Sequence, residues 1–249
     1  YHLFGLLWTY QFIVAIGLTT LAGAFAAYYF TSDKKAVEQL AVWSSFGRVF
    51  RYHLGSLAFG SLLIAIIQLI RAIMAYLHRQ AQLAQNQIAQ FIFGAIQYCL
   101  LCFERFLQFL NKNAFIMIAI YGKSFCASAG NAAKLLLSNI LRLAAISVIS
   151  DFLLFLGKIA ITASCTSLAF VWMSQDPRYT TGTAKLNSVI LPLVVVFLGS
   201  YTIATAFISV FDIAIDTIFL CFCADSAKAP PGLVQFLDES AEEAKRKKK

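Results

Sequence analysis

Asp151 to Met173 reads DFLLFLGKIAITASCTSLAFVWM, 23 residues without a proline and with a single cation, Lys158, after the opening acid. At ~1.5 Å per residue this stretch reaches ~34 Å as a helix, enough to cross a hydrocarbon core of ~30 Å. A soluble amphipathic helix would turn one whole face of polar side chains to water. No such face exists here, so the solvent of this helix is lipid. An uncompensated lysine deep in lipid is costly. Lys158 therefore either snorkels to a headgroup region or pairs with an acid, or it faces water in a polar pathway.

The remainder of the chain fits that solvent. Of 249 residues, 60% are hydrophobic and 13% charged, where a soluble domain carries about a quarter charged residues. The mean hydropathy is +0.74. The fold class is all-α: a polytopic integral membrane protein of about four transmembrane helices, with amphipathic interfacial helices between them. A net charge of +8 raises the question of nucleic acid, but six of the 20 cations fall in the last 22 residues and the others flank apolar runs. That is the pattern of topology signals and of contact with anionic lipid. The six cysteines form no dense framework. Cys99-x-x-Cys102 lacks the second ligand pair of a zinc site. Cys99, Cys102, Cys221 and Cys223 lie near membrane edges, where free or acylated thiols are expected. No cofactor is expected. The chain opens at Tyr1, without Met or a signal-peptide pattern, and a further N-terminal part is expected before it.

Taken in order, the sequence predicts a transmembrane domain over 1–223 with spans at about 3–30, 54–77, 151–173 and 189–211. Leu3–Phe30 carries no charge, and its second half is rich in small residues that let helices approach closely. Leu54–Leu77 opens with Gly55, Ser56, Ala58 and Gly60 and carries Gln68 and Arg71 in its second half. Gln68 fits an interhelical hydrogen bond or a ligand contact. Val189–Phe211 holds Pro192 in its first turns, where the missing N–H costs least. Asp212 and Asp216 follow, four apart and on one helix face. Interfacial helices are predicted at about 41–50, 91–112 and 132–146. The second has Ile92, Ile96, Cys99, Phe103, Phe106 and Leu110 on one side and Gln97, Arg105, Gln108, Asn111 and Lys112 on the other. Ala114–Tyr121 is too short to cross alone. Ser174–Ser188 reads as a polar hairpin, and 224–249 as a basic cytosolic tail. Four spans and the charge balance put Arg79–Ser150 and the tail on the cytosolic side.

No catalytic constellation is visible. There is no His-Glu-x-x-His, no Gly-x-Ser-x-Gly and no phosphate-binding Gly-rich loop, and His2, His53 and His78 stand far apart in sequence, so no enzyme is predicted.

Asn111–Cys126, NKNAFIMIAIYGKSFC, closely resembles the hallmark of the choline transporter-like family. Thr20–Tyr29 (TLAGAFAAYY), Phe46-Gly-Arg, Arg51–Gly60 (RYHLGSLAFG) and Asp216–Cys223 (DTIFLCFC) look like further blocks of it, in family order. The resemblance implies the last four of about ten helices, a cytosolic C-terminus and sodium-independent transport of choline or, in some members, ethanolamine. It implies the plasma membrane first, with a mitochondrial or other organelle membrane as alternatives. Asp212 departs from the family pattern, which has a small or apolar residue there.

Two functions follow from this resemblance. One is a carrier for choline or a related amine. A quaternary ammonium is best held by aromatic faces and a carboxylate or polar oxygens. Trp8, Tyr10, Tyr28, Tyr76, Tyr121 and Tyr201 are the aromatic candidates. Tyr201, Gln68 and Trp8 are taken as substrate-binding residues, and Lys158, Asp212 and Asp216 as intramembrane charges. Tyr201 equally fits an interhelical hydrogen bond through its hydroxyl. The other function is a non-transporting structural subunit of a larger assembly. The expected partners are the amine, membrane lipids, and the preceding helices or other membrane subunits. A channel would need a ring of acids or a filter, and neither is visible.

Overall fold

The computed structural model of the chain describes residues 1–31, 41–85, 87–175 and 189–226. Every regular element among them is helical: α1 (His2–Phe30), α2 (Ala41–Arg48), α3 (Leu54–Leu83), α4 (Gln87–Tyr121), α5 (Phe125–Ser138), α6 (Ile140–Gln175) and α7 (Ile190–Ser226). A π-helical turn over Val49–His53 joins α2 to α3. Five runs are long and apolar enough to cross a membrane: α1, the run from α2 through α3, α4, α6 and α7. The chain is thus an all-α polytopic membrane protein.

The fifth such helix is the main difference from the sequence reading. The sequence predicts an interfacial helix over 91–112 and a separate short apolar piece after it. The structure runs one helix of 35 residues through both. Its polar residues Gln97, Glu104, Gln108 and Asn111 recur at steps of seven, four and three, so they share one face. That face meets α3. The Asn111 amide donates to the Gly60 carbonyl, Gln68 donates to Glu104, and Gln90 donates to the Ala81 carbonyl. This is antiparallel register along nearly the whole of α3. Polar side chains that would suit a headgroup layer are here used between helices, where lipid leaves them no other partner. α4 ends at Gly122, whose φ of +67° is the left-handed terminus that glycine adopts without penalty. Its N–H closes on the Ile118 carbonyl at 2.8 Å.

A second difference lies at Asn139. The predicted helix over 132–146 is split there into α5 and α6. The Asn139 side chain donates to the Leu135 carbonyl at 3.1 Å and its backbone N–H to Leu136 at 3.2 Å. An asparagine that offers the backbone this local alternative ends a helix. The first half of α6 then joins the predicted 151–173 span without a break. Residues 224–226, predicted as the start of the tail, still belong to α7. The tail beyond them, most of the Ser174–Ser188 hairpin and residues 32–40 lie outside the described residues.

The chain divides into two compact units, one of residues 1–139 with Asp216 onward and one of Ile140–Ile215. In the first, α1, α3 and α4 pack around Ala15, Val49, Leu57, Ala114, Phe115, Ile118 and Phe125. Approach is close. A Cβ on Gly60 would fall 2.6 Å from Phe125 and 2.7 Å from Phe115, and one on Gly23 would fall 2.2 Å from Ser45 Oγ. In the second unit, α6 buries only Thr162 among its residues and leaves its apolar side chains exposed, as a helix solvated by lipid does. Ile208 of α7 reaches Gly157 of α6, its Cδ1 lying 3.4 Å from where a Cβ would stand.

Candidate functional site

Within the first unit, α1, α3 and α4 line an open cavity of ≈350 Å³. Its walls include Tyr10, Gln11, Gln68, Arg71, Gln97 and Glu104. Each helix supplies polar groups for the same reason: an apolar helix of this length can carry a few side chains that need hydrogen bonds, and these converge on one another. Glu104 is at the centre and only 5% exposed. Its Oε1 accepts from Gln68 Nε2 and from Gln108 Nε2, both at 3.0 Å. Its Oε2 accepts from Arg71 Nη1. Gln11 Nε2 of α1 donates to Gln68 Oε1 at 3.2 Å and extends the network to the third helix. The three donors give this buried carboxylate contacts in place of those it would make with water.

Two smaller cavities continue this one. A space of ≈260 Å³ shares Arg71 and Gln97 with it and adds Gly94, Tyr98 and Leu101. Another, of ≈210 Å³, shares Gln11 and adds Ile64, Gln108, Asn111, Lys112 and Phe115. Lys112, on its wall, pairs with Asp216 of α7 at 2.6 Å. The polar seam thus runs from Tyr98 past Glu104 to Lys112.

The residues singled out in the sequence fall as follows. Gln68 is in the network. Trp8 lies on α1 outside the residues that line the cavity, stacked on Phe4, with its indole N–H directed to the Ala58 carbonyl at 3.2 Å. Tyr201 sits on α7 in the second unit, 40% exposed. Lys158 is half-buried on α6, and its carbonyl accepts from Thr162 Oγ1 at 2.8 Å. Asp212 is half-buried on α7 in the second unit, whereas Asp216 begins the part of α7 that belongs to the first. Glu104 itself escapes the sequence reading, although it is the lone acid of α4 and stands seven residues from both Gln97 and Asn111. That spacing was the signal. Among the described residues no group of three or more His, Cys, Asp or Glu side chains could hold a metal, and no two cysteines are joined in a disulfide.

Fold and seam together define a polytopic integral membrane protein with ionisable groups buried between its helices. The pattern of the family described as plasma-membrane choline transporter matches residues 1–227. Choline transporter-like protein 5 of Xenopus tropicalis is 47% identical over 226 residues, covering 90% of this chain and 32% of that protein. Choline transporter-like protein 2 of Bos taurus is 46% identical over 227 residues, with the same coverage. Choline transporter-like protein 2 of Dictyostelium discoideum is 44% identical over 225 residues, covering 90% of this chain and 35% of that protein. The chain belongs to the choline transporter-like family, a family of transporters, and spans about a third of the length of these relatives.

Proposed function

We propose that this chain forms part of a plasma-membrane carrier for choline or a related amine, and that the substrate ammonium is held beside Glu104. The observation that carries this reading is a carboxylate 5% exposed at the wall of a cavity between apolar helices. Ionisable groups at membrane depth mark substrate paths, and a fixed anion offsets the desolvation of an entering cation. Tyr10, on the same wall, offers an aromatic face. Gln68 belongs to this site by its bond to Glu104. Tyr201 and Trp8 remain further aromatic candidates, and Lys158 and Asp212 remain charges outside the seam.

The test is uptake and binding of tritiated choline by the full-length carrier bearing Glu104→Gln. Both are expected to fall at least tenfold at equal surface expression, the loss of ~1.4 kcal/mol or more. Uptake at the parent level removes Glu104 from the site. A second reading has support in the Gln11–Gln68–Glu104–Arg71 network, which links three helices and suits helix association in a non-transporting subunit. The intact mass of the native protein separates them: near 27.5 kDa favours the subunit, and a mass on the scale of the relatives favours the carrier.

A further inference from the structure

We propose that Arg71 is a displaceable stopper of the Glu104 site: it occupies the carboxylate when no substrate is bound and moves into the neighbouring cavity when an ammonium arrives. This rests on the reading of the Glu104 cavity as the substrate site.

Three observations converge on it. The pair is unequal in freedom. The Glu104 side chain is 7% accessible and is anchored by two glutamines, whereas the Arg71 side chain is 31% accessible. The arginine is therefore the partner that can leave. Arg71 also stands in the wall between two spaces, since it lines both the Glu104 cavity and the ≈260 Å³ cavity with Gly94, Gln97, Tyr98 and Leu101. Room for a second position exists, with a glutamine amide and a phenol to receive the guanidinium. Finally, the present position is incompletely satisfied: Arg71 Nε is buried without a hydrogen-bond partner. A guanidinium engaged on a carboxylate by one nitrogen, with its Nε idle, lacks the two-pronged geometry that makes arginine pairs tight.

The electrostatics give the device a purpose. With Arg71 in place the pair is neutral overall and the guanidinium occupies Oε2, where an entering cation would sit. An ammonium that replaces it restores neutrality at Glu104, so neither state leaves a bare carboxylate between the helices. The apparent affinity for substrate is then the intrinsic one reduced by the fraction of molecules in which Arg71 has stepped aside. Removing the arginine should tighten binding, and blocking its second position should weaken it.

The experiment measures tritiated choline binding to the purified full-length carrier. Arg71→Gln is expected to bind about tenfold more tightly, as for a competent fraction of about a tenth in the parent. Gly94→Leu fills the second cavity without touching the first; a Cβ at Gly94 meets nothing nearer than His78 Cε1 at 3.6 Å, so the fold should tolerate it. Its affinity is expected to fall about tenfold by the same relation. A purely structural Arg71 predicts weaker binding in Arg71→Gln and parent affinity in Gly94→Leu, and that pair of results overturns the proposal. Should Arg71→Gln not fold, parent affinity in Gly94→Leu alone overturns it. Loss of binding in Glu104→Gln with no effect of the other two removes the stopper and keeps the site; full binding in Glu104→Gln removes both.

Discussion

Gly122, at the end of α4, lies against His53, at the start of α3: a Cβ on Gly122 would stand 3.7 Å from the imidazole Cε1. The beginning of one long helix and the end of the next are therefore at the same end of the pair. If α3 crosses the membrane, α4 crosses back. Arg48, Arg51 and Lys123 then share one side and Arg79 faces the other. Arg79 and Lys123, which the four-span reading puts on one side, are thereby parted, and with them the charges that set orientation.

Single-cysteine labelling tests this topology. Arg51→Cys and Lys123→Cys should react with an impermeant reagent from one side, and Arg79→Cys from the opposite side. Reaction of Arg79→Cys and Lys123→Cys from the same side would return α4 to the interface.

Gly60 should tolerate no side chain. Its Cβ position is 2.6–2.7 Å from the rings of Phe115 and Phe125. Gly60→Ala is expected to cost about 1–3 kcal/mol through overpacking. Gly17→Ala, with nothing within 4 Å, should be neutral or slightly stabilising. Thermal unfolding of both in the same detergent compares them, and equal midpoints would mean that α3 and α4 do not approach this closely.

The Lys112–Asp216 pair, with side chains 27% and 26% accessible, joins α4 to the first unit's part of α7. Lys112→Gln or Asp216→Asn alone should cost about 1 kcal/mol. Exchanging the two charges should recover part of the loss, since the attraction is symmetric in sign. A double-mutant cycle with no coupling denies the pair any energetic role.

Tyr201 offers a contrast between ring and hydroxyl. If its face holds a quaternary ammonium, Tyr201→Phe should be mild and Tyr201→Leu should weaken choline binding about thirtyfold, the worth of a desolvated contact of ~2 kcal/mol. If the hydroxyl serves only in helix packing, the stability of Tyr201→Phe falls and choline affinity in the folded protein is unchanged.

Lys158→Leu removes the only charge from the apolar part of α6 after Asp151. Membrane insertion should become easier. Transport or assembly should fall if the ammonium group faces a polar interior, and activity equal to the parent assigns Lys158 to the lipid interface.

The long apolar spans were legible in the sequence because length and the absence of charge suffice to mark them. α4 was not. Its mean character is amphipathic, and a polar face looks the same whether it meets water or another polar face. Only the matching set on α3 and α1, Gln68, Arg71 and Gln11, distinguishes the two. Gln68 was legible as a polar residue in lipid. Its partner Glu104 was hidden among aromatic neighbours, and pairing across 36 positions cannot be read from local spacing. Asn139 was missed for the opposite reason, since a run of leucines and alanines on either side outweighs one asparagine in any periodicity.

The hydroxyls of α6 are turned inward on their own helix: Thr162, Ser164, Thr166 and Ser167 each donate to the carbonyl four residues before them. These four donors stay satisfied at any azimuth of the helix, because rotation about its axis carries donor and acceptor together. Shape and the charged groups of Arg142, Asp151 and Lys158 are then what set its rotational angle. A helix so built can turn among apolar neighbours without breaking those bonds, as a smooth shaft turns in its bearing.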